Sequence, residues 1–398
     1  PARLFAPVLT VPPYHCTDKL APNSRREHIR GNVKNGHPDV ERGSCRQRNE
    51  PISRKEPAMH ILGLDAHSAT FTVEILNPRG RVCREMKRET SAENLIEAVR
   101  EAPGPKVVVV EESHLAQWVK RTVERYVDKV VICDPKRNKW ISGDEFNDDA
   151  SSAHKLAELY RGGYIKEIRH PDDGGAKLRS LFLHYYDLNQ QLTRFKNKLK
   201  AVFRQEAIGT TGKGIYDEER HAAWLQKLRG QQHLQHAARQ RFELIDVLES
   251  CKHETYEVMV QLAKKNAAYR LLDSMPGAGP VIATGYLALI DTPDRFSRKN
   301  KLWSYAGFGN KRHTSDDEVY EEHASKNGNR PLKWVVIEHF LHAVQQTQQG
   351  NRFKRCYEEL RRKGLDETAA RRAVCRKLLS TVRALWMKGA AYRDDPLS

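Results

Sequence analysis

The order of apolar segments between residues 60 and 170 is the feature that most limits how this chain can fold. Strand-like runs occupy 60–65, 70–76 and 81–87, and a turn rich in Gly and Pro at 77–80 joins the last two. Three neighbouring strands with such short connections predict an antiparallel meander at the start of a sheet.

Helical and strand-like segments alternate after this meander. Thr90 and Glu93 have the spacing of a capping box and predict a helix to about Ala102. The run KVVVV, a second helix, the run KVVIC and a helix through 156–160 follow in that order. Three strands followed by helix, strand, helix, strand and helix is the ribonuclease-H-like order. Residues 59–173 are therefore predicted to form an α/β ribonuclease-H-like (RuvC-like) domain.

Residues 174–270 have a different pattern, in which apolar residues recur at alternating steps of three and four. The residues in this pattern are Leu178, Leu181, Tyr185, Leu188, Leu192, Phe195, Leu199 and Val202. A break at 209–214 precedes a weaker version of the same pattern over 234–265. This spacing predicts an antiparallel α-helical coiled-coil arm. The sequence leaves open whether the arm is only structural, mediates dimerisation or holds RNA.

The remaining segments complete the predicted domain organisation. Residues 1–58 are rich in Pro, Arg, Asn and Ser without any period, which predicts a disordered basic tail. That tail either grips nucleic acid or is upstream sequence joined to a protein that starts at Met59. Residues 271–392 are predicted to form a mainly α C-terminal domain, and 393–398 a short tail.

Charge and cysteine usage limit the partners and the compartment. The 68 Lys and Arg residues exceed the 51 Asp and Glu residues and give a formal charge of +17, which favours a polyanion such as nucleic acid. The seven cysteines form no CxxC pair, so a reduced, cytoplasmic setting is expected. No apolar run approaches the roughly 18 residues of a membrane span. A soluble protein without a membrane partner is therefore expected.

Three carboxylates stand where strands end or a helix begins. Asp65 ends the run ILGL, Glu111 ends the run VVVV, and Asp149 begins the helix that contains Leu156. Each one alone is more often a cap or turn residue. Together, at one edge of one sheet, they predict a site for Mg²⁺, or alternatively Mn²⁺, that acts on phosphodiester bonds.

A Gly/Pro turn at 276–280 precedes an apolar helix in the C-terminal half. The backbone N–H groups at Gly277 and Gly279, next to a helix N-terminus, are suited to a phosphate. This spacing resembles a helix-hairpin-helix element that binds the DNA backbone. The alternative is an ordinary turn between packed helices.

Basic and polar residues surround a Thr-Ser pair further along the chain. They are Lys311, Arg312, His313, Lys326, Asn329, Arg330 and Lys333. Ser315, next to Thr314, is a candidate nucleophile because these cations would hold the charge that develops on an attacked phosphate. A Thr-Ser pair without such context is more often a capping or loop element.

In their order, these segments resemble the transposases of the insertion-sequence 110 family, which are bridge-RNA-guided recombinases, and the related Piv-type DNA invertases. The likeness runs from about Met59 to Tyr392. Its motifs are GLDAHS, VVVVEES, DDASSAHKLAELYRGGYIKEI, MPGAGPVIA, YAGF, the segment His313-Thr314-Ser315, and SKNGNRPLKW.

The resemblance implies a RuvC-like domain with a DEDD metal site, a coiled-coil arm and a C-terminal domain with a serine nucleophile. Asp65, Glu111 and Asp149 match the first three acidic positions, and Ser315 matches the serine. The implied reaction is DNA strand cleavage and exchange for transposition. The implied partners are the element ends and target DNA, a guide RNA, and further copies of this chain in a dimer or tetramer. The implied location is the nucleoid of a bacterial or archaeal cytoplasm.

Two positions depart from the family pattern. Ser152 replaces the last Asp of the catalytic set, and a hydroxyl binds Mg²⁺ more weakly than a carboxylate. Asp316 follows the serine, where the family often has Gly. The neighbouring acids Asp148 and Glu112 are expected to point elsewhere. Two alternatives stay open: a structure-selective nuclease that uses only the RuvC-like domain, and a nucleic-acid-binding protein whose catalysis has decayed.

Overall fold

The computed structural model describes residues 59–134, 149–212, 214–315, 318–324, 328–348 and 350–394. At residues 149, 150, 218, 311–315 and 318–324 the description is of the backbone alone. The tail predicted at 1–58 and the last four residues lie outside these ranges.

A five-stranded mixed sheet organises the N-terminal domain. Its strands are β1 (His60–Ala66), β2 (Thr70–Leu76), β3 (Val82–Glu89), β4 (Lys106–Glu111) and β5 (Lys129–Cys133). Their order in the sheet is β3-β2-β1-β4-β5. The first three strands are antiparallel, and β4 and β5 run parallel to β1. The predicted meander is confirmed, and this mixed α/β sheet agrees with the predicted ribonuclease-H-like order.

Helices cover both faces of the sheet. They are α1 (Ala92–Arg100), α2 (Ala116–Val123) and α3 (Asp149–Arg161). Leu62, Leu64 and Val110 pack in one core with α1 and α2, whereas Val107 and Val109 pack in a second core with α3. Because side chains alternate along a strand, these two cores show which residues of β1 and β4 face α3.

The start of α1 corrects the predicted capping box. The N-cap is Ser91, whose hydroxyl accepts a hydrogen bond from the Asn94 N–H at 3.1 Å. The Thr90 hydroxyl instead donates to the carbonyl of His67 at 2.7 Å and closes the loop between β1 and β2. Thr90 and Ser91 are both hydroxyl residues that could cap this helix. The contact of Thr90 with His67 leaves Ser91 as the N-cap.

Two long helices form the arm, α4 (Asp173–Gln205) and α6 (Gln232–Lys264). Phe182, near the start of α4, packs with Met259, near the end of α6, whereas Phe203 packs with Leu234. The pair is therefore antiparallel, as predicted. Phe182 is buried where the predicted pattern had Leu181. Supercoiling of the two helices stays a prediction.

The C-terminal region is mainly helical and has one core. Its helices are α7 (Ala268–Asp273), α8 (Gly279–Ile290), α9 (Lys299–Tyr305), α10 (Arg330–Phe340), α11 (Arg352–Arg362) and α12 (Glu367–Lys388), preceded in the chain by the short α5 (His221–Gln226). A hairpin of β6 (Asn310–Ser315) and β7 (Glu318–Ala324) separates α9 from α10. In the part of the chain that the structure describes, no helix is long and apolar enough to cross a membrane.

Candidate functional site

Asp65 and Glu111 lie side by side at the carboxyl edge of the sheet. Leu64 and Val110 are paired between parallel β1 and β4, so the next residue on each strand is one of the two carboxylates. Both alternate with residues that face α1 and α2, so both are on the face that α3 covers. The side chain of Asp65 is 18% exposed, and His67 Nε2 lies 3.4 Å from its Oδ1.

The pKa of Glu111 shows the electrostatic consequence of this arrangement. Partial burial raises it above the ordinary value of 4.5, and the neighbouring charge of Asp65 raises it further. A cation bound between the two carboxylates would favour their charged forms and so lower the pKa of Glu111. Two adjacent oxygen-bearing side chains at a strand edge fit Mg²⁺, which prefers carboxylate ligands.

Thr72 extends the same row to a third strand. It is paired with Asp65 across the antiparallel β1 and β2, and it is 2% exposed. Its Oγ1 is buried and has no hydrogen-bond partner among the residues that the structure describes. An unmatched buried hydroxyl is unfavourable by about 1–3 kcal/mol. This cost would be removed by a ligand or a bound water at the row, so the unmatched oxygen supports a ligand site here.

Helix α3 lies directly on the backbone of β1. A Cβ at Gly63 would approach the carbonyl oxygen of Ala153 to 1.9 Å, and Ala157 lies on the same spot. Later residues of α3 pack in the core that includes Met59, so the helix runs antiparallel to β1. Four helical residues span about 6 Å and two strand residues about 6.6 Å. The position of Asp149 is therefore level with Asp65.

A hydrogen bond to a buried carboxylate fixes the rotation of α3. Glu74 is opposite Gly63 on β2, is 5% exposed and is bonded to His154 Nδ1. His154 and Ser152 flank Ala153, and each is turned from it by about 100° in opposite directions. Since His154 faces β2, the position of Ser152 is turned towards β4, the strand that ends at Glu111.

These positions place the predicted acidic set only in part. Asp65 and Glu111 are brought together, and the backbone places Asp149 and Ser152 at the same edge. The side chain of Asp149 lies outside the described part, as does all of Asp148. Glu112 is bonded to His170. Within the described residues, no three His, Cys, Asp or Glu side chains converge as metal ligands.

The Gly/Pro turn of the C-terminal half joins α7 to α8. Gly277 and Gly279 have φ values of 76° and 58°, in the left-handed region that favours glycine. A Cβ at Gly277 would come within 2.5 Å of the Ala343 backbone N, whereas one at Gly279 would meet nothing within 4 Å. Gly277 is thus required for packing, and Gly279 has space beside it. A DNA contact at either glycine stays a prediction.

A buried histidine holds this turn from behind. His339 Nε2 lies 3.0 Å from the carbonyl oxygen of Pro276, and its Nδ1 lies 2.9 Å from the hydroxyl of Tyr286. Desolvation lowers the pKa of His339 to about 4, against the smaller opposite effect of the bond to Pro276. The neutral ring therefore donates from Nε2 and accepts at Nδ1. Sequence reasoning missed this residue, because a lone His in an apolar helix gives no pattern.

The candidate serine lies at the end of β6. Ser315 pairs with Glu318 of β7, and the register shifts between His313 and Thr314. The side chains of Lys311, Arg312, His313, Thr314 and Ser315 lie outside the described part of the chain, and so does all of Lys326.

Contacts at the base of this hairpin are described. The Arg376 Nε donates to the Phe308 carbonyl at 2.7 Å, just before β6. Asn329 is the N-cap of α10: its Oδ1 accepts from the Leu332 N–H at 2.9 Å, and its Nδ2 donates to the Tyr305 hydroxyl at 3.1 Å. Arg330 follows it and is exposed. Asn329 thus has structural partners, and Arg330 is accessible.

Comparison with known proteins assigns both regions to one class. Residues 62–207 match a transposase model of the DEDD type, and residues 269–358 match the model of a second transposase domain. Both regions are therefore similar to transposase domains. The particular models are the DEDD transposase of IS110 and the transposase IS116/IS110/IS902 family, so two successive regions of the chain are similar to domains of IS110-family transposases.

A curated relative supports the same assignment. An uncharacterized 43.6 kDa protein of insertion element IS110 from Streptomyces coelicolor is 30% identical over 124 residues. The alignment covers 31% of this chain and 30% of the relative's length.

Proposed function

We propose that this chain is a transposase that cleaves and exchanges DNA strands to move an insertion element. The observation that carries the proposal is that Asp65 and Glu111 directly follow the paired residues Leu64 and Val110 at one sheet edge, beside the start of α3. That arrangement lies within the region that matches the DEDD transposase model, and the second transposase match follows it in the chain.

In this proposal, Asp65, Glu111 and Asp149 hold Mg²⁺, or Mn²⁺ in its place. The bound ion would stabilise negative charge on the phosphate oxygens. Asp65 and Glu111 would supply oxygen ligands from two neighbouring strands, and Asp149 is the first residue of α3. Ser152 stands at the fourth position and offers a neutral hydroxyl, which makes this site less negative than one with four carboxylates.

Ser315 is the proposed nucleophile. Its Oγ attacks a phosphorus of the DNA backbone, and the bond from that phosphorus to the oxygen of the neighbouring nucleotide breaks. A transient phosphoserine ester then joins the protein to the DNA. Lys311, Arg312 and His313, on the same strand, would hold the charge of the attacked phosphate. The resolving strand then displaces Ser315, which leaves the exchanged strands joined.

The remaining residues in this proposal bind nucleic acid. Gly277 and Gly279 contribute backbone N–H groups, and Lys326, Asn329 and Arg330 lie before or at the start of α10, next to the serine hairpin in the chain. The exposed Arg330 and the open space at Gly279 support this interpretation. A guide RNA, as the resemblance implies, would select the element ends and the target.

The exposed face of α6 supports a homo-oligomer. Leu244, Val247 and Val258 are 45%, 60% and 54% exposed, and the exposed Cys251 lies between them at helical spacing. A second copy of the chain would cover this apolar face in a dimer or tetramer. Val247→Asp should then shift the oligomer to smaller species in light scattering, whereas Arg239→Asp, at an exposed polar position of α6, should not.

Recombination in vitro tests the proposal. Purified protein, element ends, target DNA, guide RNA and Mg²⁺ should yield joined products, and Ser315→Ala and Asp149→Ala should each abolish them. Ser152→Asp should preserve or increase the product. Joined product from Ser315→Ala would refute the serine role, and product from Asp149→Ala would refute the metal role.

Ser152 motivates the competing function of a nucleic-acid-binding copy without catalysis. That alternative predicts salt-sensitive DNA or RNA binding with no cleavage in Mg²⁺ or Mn²⁺, and cleavage gained on Ser152→Asp. A structure-selective nuclease, in contrast, would cut branched DNA with Ser315→Ala as efficiently as with the unmodified chain.

A further inference from the structure

Four cations gather on one side of the arm. Lys196, Lys200 and Arg204 follow one another on α4 at intervals of four residues, and Lys252 is on the facing helix α6. Residues four apart lie on the same side of a helix, so the three α4 side chains form a stripe about 12 Å long. We call these four residues the arm cation cluster.

An aromatic ring and a carboxylate organise the cluster. The Nζ atoms of Lys196 and Lys200 lie 4.6 Å and 5.3 Å from the ring centroid of Tyr216. Lys196 is also bonded to Glu249 of α6. Lys200 Nζ lies 3.4 Å from the carbonyl oxygen of Gly212. The ammonium groups are therefore held in place by contacts with the ring, the carboxylate and the backbone.

Positive charge in the cluster exceeds the negative charge that contacts it. Among the side chains that the structure describes here, Glu249 is the carboxylate bonded to the cluster, so four cations share one anion. Burial lowers the pKa of Lys200, and the charges of Arg204 and Lys196 lower it further. Burial also lowers the pKa of Lys252, and the charge of Lys196 lowers it further. The cluster therefore favours a bound anion.

We propose that the arm cation cluster binds the phosphodiester backbone of a nucleic-acid strand. A stripe of cations along a helix can contact successive phosphates, whereas a single small anion would neutralise only part of it. In this proposal the ring of Tyr216 is in contact with two ammonium groups and not with a base, so the cluster contacts phosphates without selecting bases. This binding site lies in the arm, separate from the acidic edge and the serine hairpin, and it does not depend on strand exchange.

A matched pair of variants tests the proposal. Lys200→Gln with Arg204→Gln removes two charges from the cluster, and Arg194→Gln with Lys198→Gln removes two charges from the opposite side of α4. Fluorescence anisotropy with labelled duplex DNA, single-stranded DNA and an RNA hairpin is measured across a salt series. The cluster variant should reduce the slope of log affinity against log salt by about 2, one for each lost phosphate contact. The control should leave the slope unchanged.

Glu249→Gln supplies a test with the opposite sign. This change removes the carboxylate that competes with phosphate for Lys196, so binding should become tighter and the salt slope steeper. A purely structural role of the cluster would predict lower stability without tighter binding. Tyr216→Leu keeps every charge and removes the ring, and it should weaken binding less than the double cluster variant.

The probes also identify the strand that the cluster holds. A slope change with the RNA hairpin alone assigns the cluster to RNA, and a change with either DNA probe assigns it to DNA. Equal slopes for the cluster variant and the unmodified chain with all three probes, at unchanged melting temperature, would overturn the proposal. Weaker binding by Glu249→Gln would also overturn it. Neither result bears on recombination, which the Ser315→Ala and Asp149→Ala assays measure separately.

Discussion

Two groups of polar side chains in this molecule, one partly buried and one fully buried, differ in how their partners are arranged. At the sheet edge, Asp65 and Glu111 lie on neighbouring strands, and the hydroxyl of Thr72 has no partner within the described ranges. Behind the Gly/Pro turn, both ring nitrogens of His339 are matched, one by Tyr286 and one by Pro276. The sheet edge therefore contains like charges and an unmatched hydroxyl, which are unfavourable without a ligand. The hydrogen bonds of His339 are all satisfied within the protein.

This difference separates a ligand site from a structural network. Both groups combine burial with shifted pKa values, so neither burial nor titration alone distinguishes them. The distinguishing property is an unmatched hydroxyl that adjoins two carboxylates, because a native structure retains such an atom at a stability cost and the carboxylates can hold a cation beside it. The sheet edge is therefore the better candidate for a cation, and His339 for a fixed support of the turn.

The largest expected effect concerns the turn itself. Gly277→Ala should destabilise the fold by about 2–5 kcal/mol, because it adds left-handed strain and a contact with the Ala343 backbone. Gly279→Ala, with the same backbone strain and open space, should cost about 1–2 kcal/mol. Denaturant unfolding measures both. Equal losses would show that packing against Ala343 does not distinguish the two glycines.

The next effect is a dependence of stability on pH. The pKa of His339 is about 4 in the fold and about 6.5 when unfolded, so between these values the unfolded chain binds the extra proton. Stability is therefore full above about pH 6.5 and falls by about 3 kcal/mol as the pH decreases towards 4. His339→Gln should remove this part of the pH dependence in thermal unfolding. An unchanged profile would mean that the ring is protonated or exposed.

A smaller effect tests the unmatched hydroxyl at the edge. Thr72→Val should stabilise the metal-free protein by about 1 kcal/mol, because it removes a buried hydroxyl that has no partner. It should also reduce the rise in melting temperature that Mg²⁺ produces. Thr284→Val removes another unmatched buried hydroxyl, in α8, and should stabilise the protein without changing the Mg²⁺ effect. If both variants respond alike to Mg²⁺, Thr72 has no role at the cation site.

The smallest effect on stability is expected at Glu111, which is only partly buried. Its pKa is raised above 4.5, so as pH rises through the interval above that value the unfolded chain loses a proton that the folded chain retains. Folding is therefore penalised at neutral pH, and Glu111→Gln should raise the melting temperature there but not below about pH 4.5. It should also abolish the Mg²⁺ effect. Glu112→Gln, which removes the carboxylate bonded to His170, should give no gain.

The sequence predicted what depends on local pattern. The strand at 70–76, the strand KVVIC and the position of Asp149 at the start of α3 all agree with the structure, because alternation and helical spacing are local properties. The neighbouring carboxylates followed from strand order. Ser91 displaced Thr90 as the N-cap because Thr90 bonds to His67, a contact between loops that no local pattern contains.

Residues that act through tertiary contacts were not predictable. Thr72 is one alternating residue of an ordinary strand until its pairing with Asp65 is known. The bonds of His339 join residues 53 and 63 positions apart. The grouping of Lys252 with Lys196 needs two antiparallel helices in one register. Single-sequence reasoning finds the residue types for such sites but not their neighbours.

Gly63 has a consequence for how this site can change over generations. The space beside its Cα is occupied by the backbone carbonyl of Ala153 and the Cβ of Ala157, so residues from two distant segments share one small volume. A larger side chain at Gly63 or Ala157 would push α3 away from β1, and with it the start of α3 from Asp65. Descendants of this sequence should therefore keep small residues at 63 and 157, and a restored carboxylate at 152 would be useful only in lineages that do so.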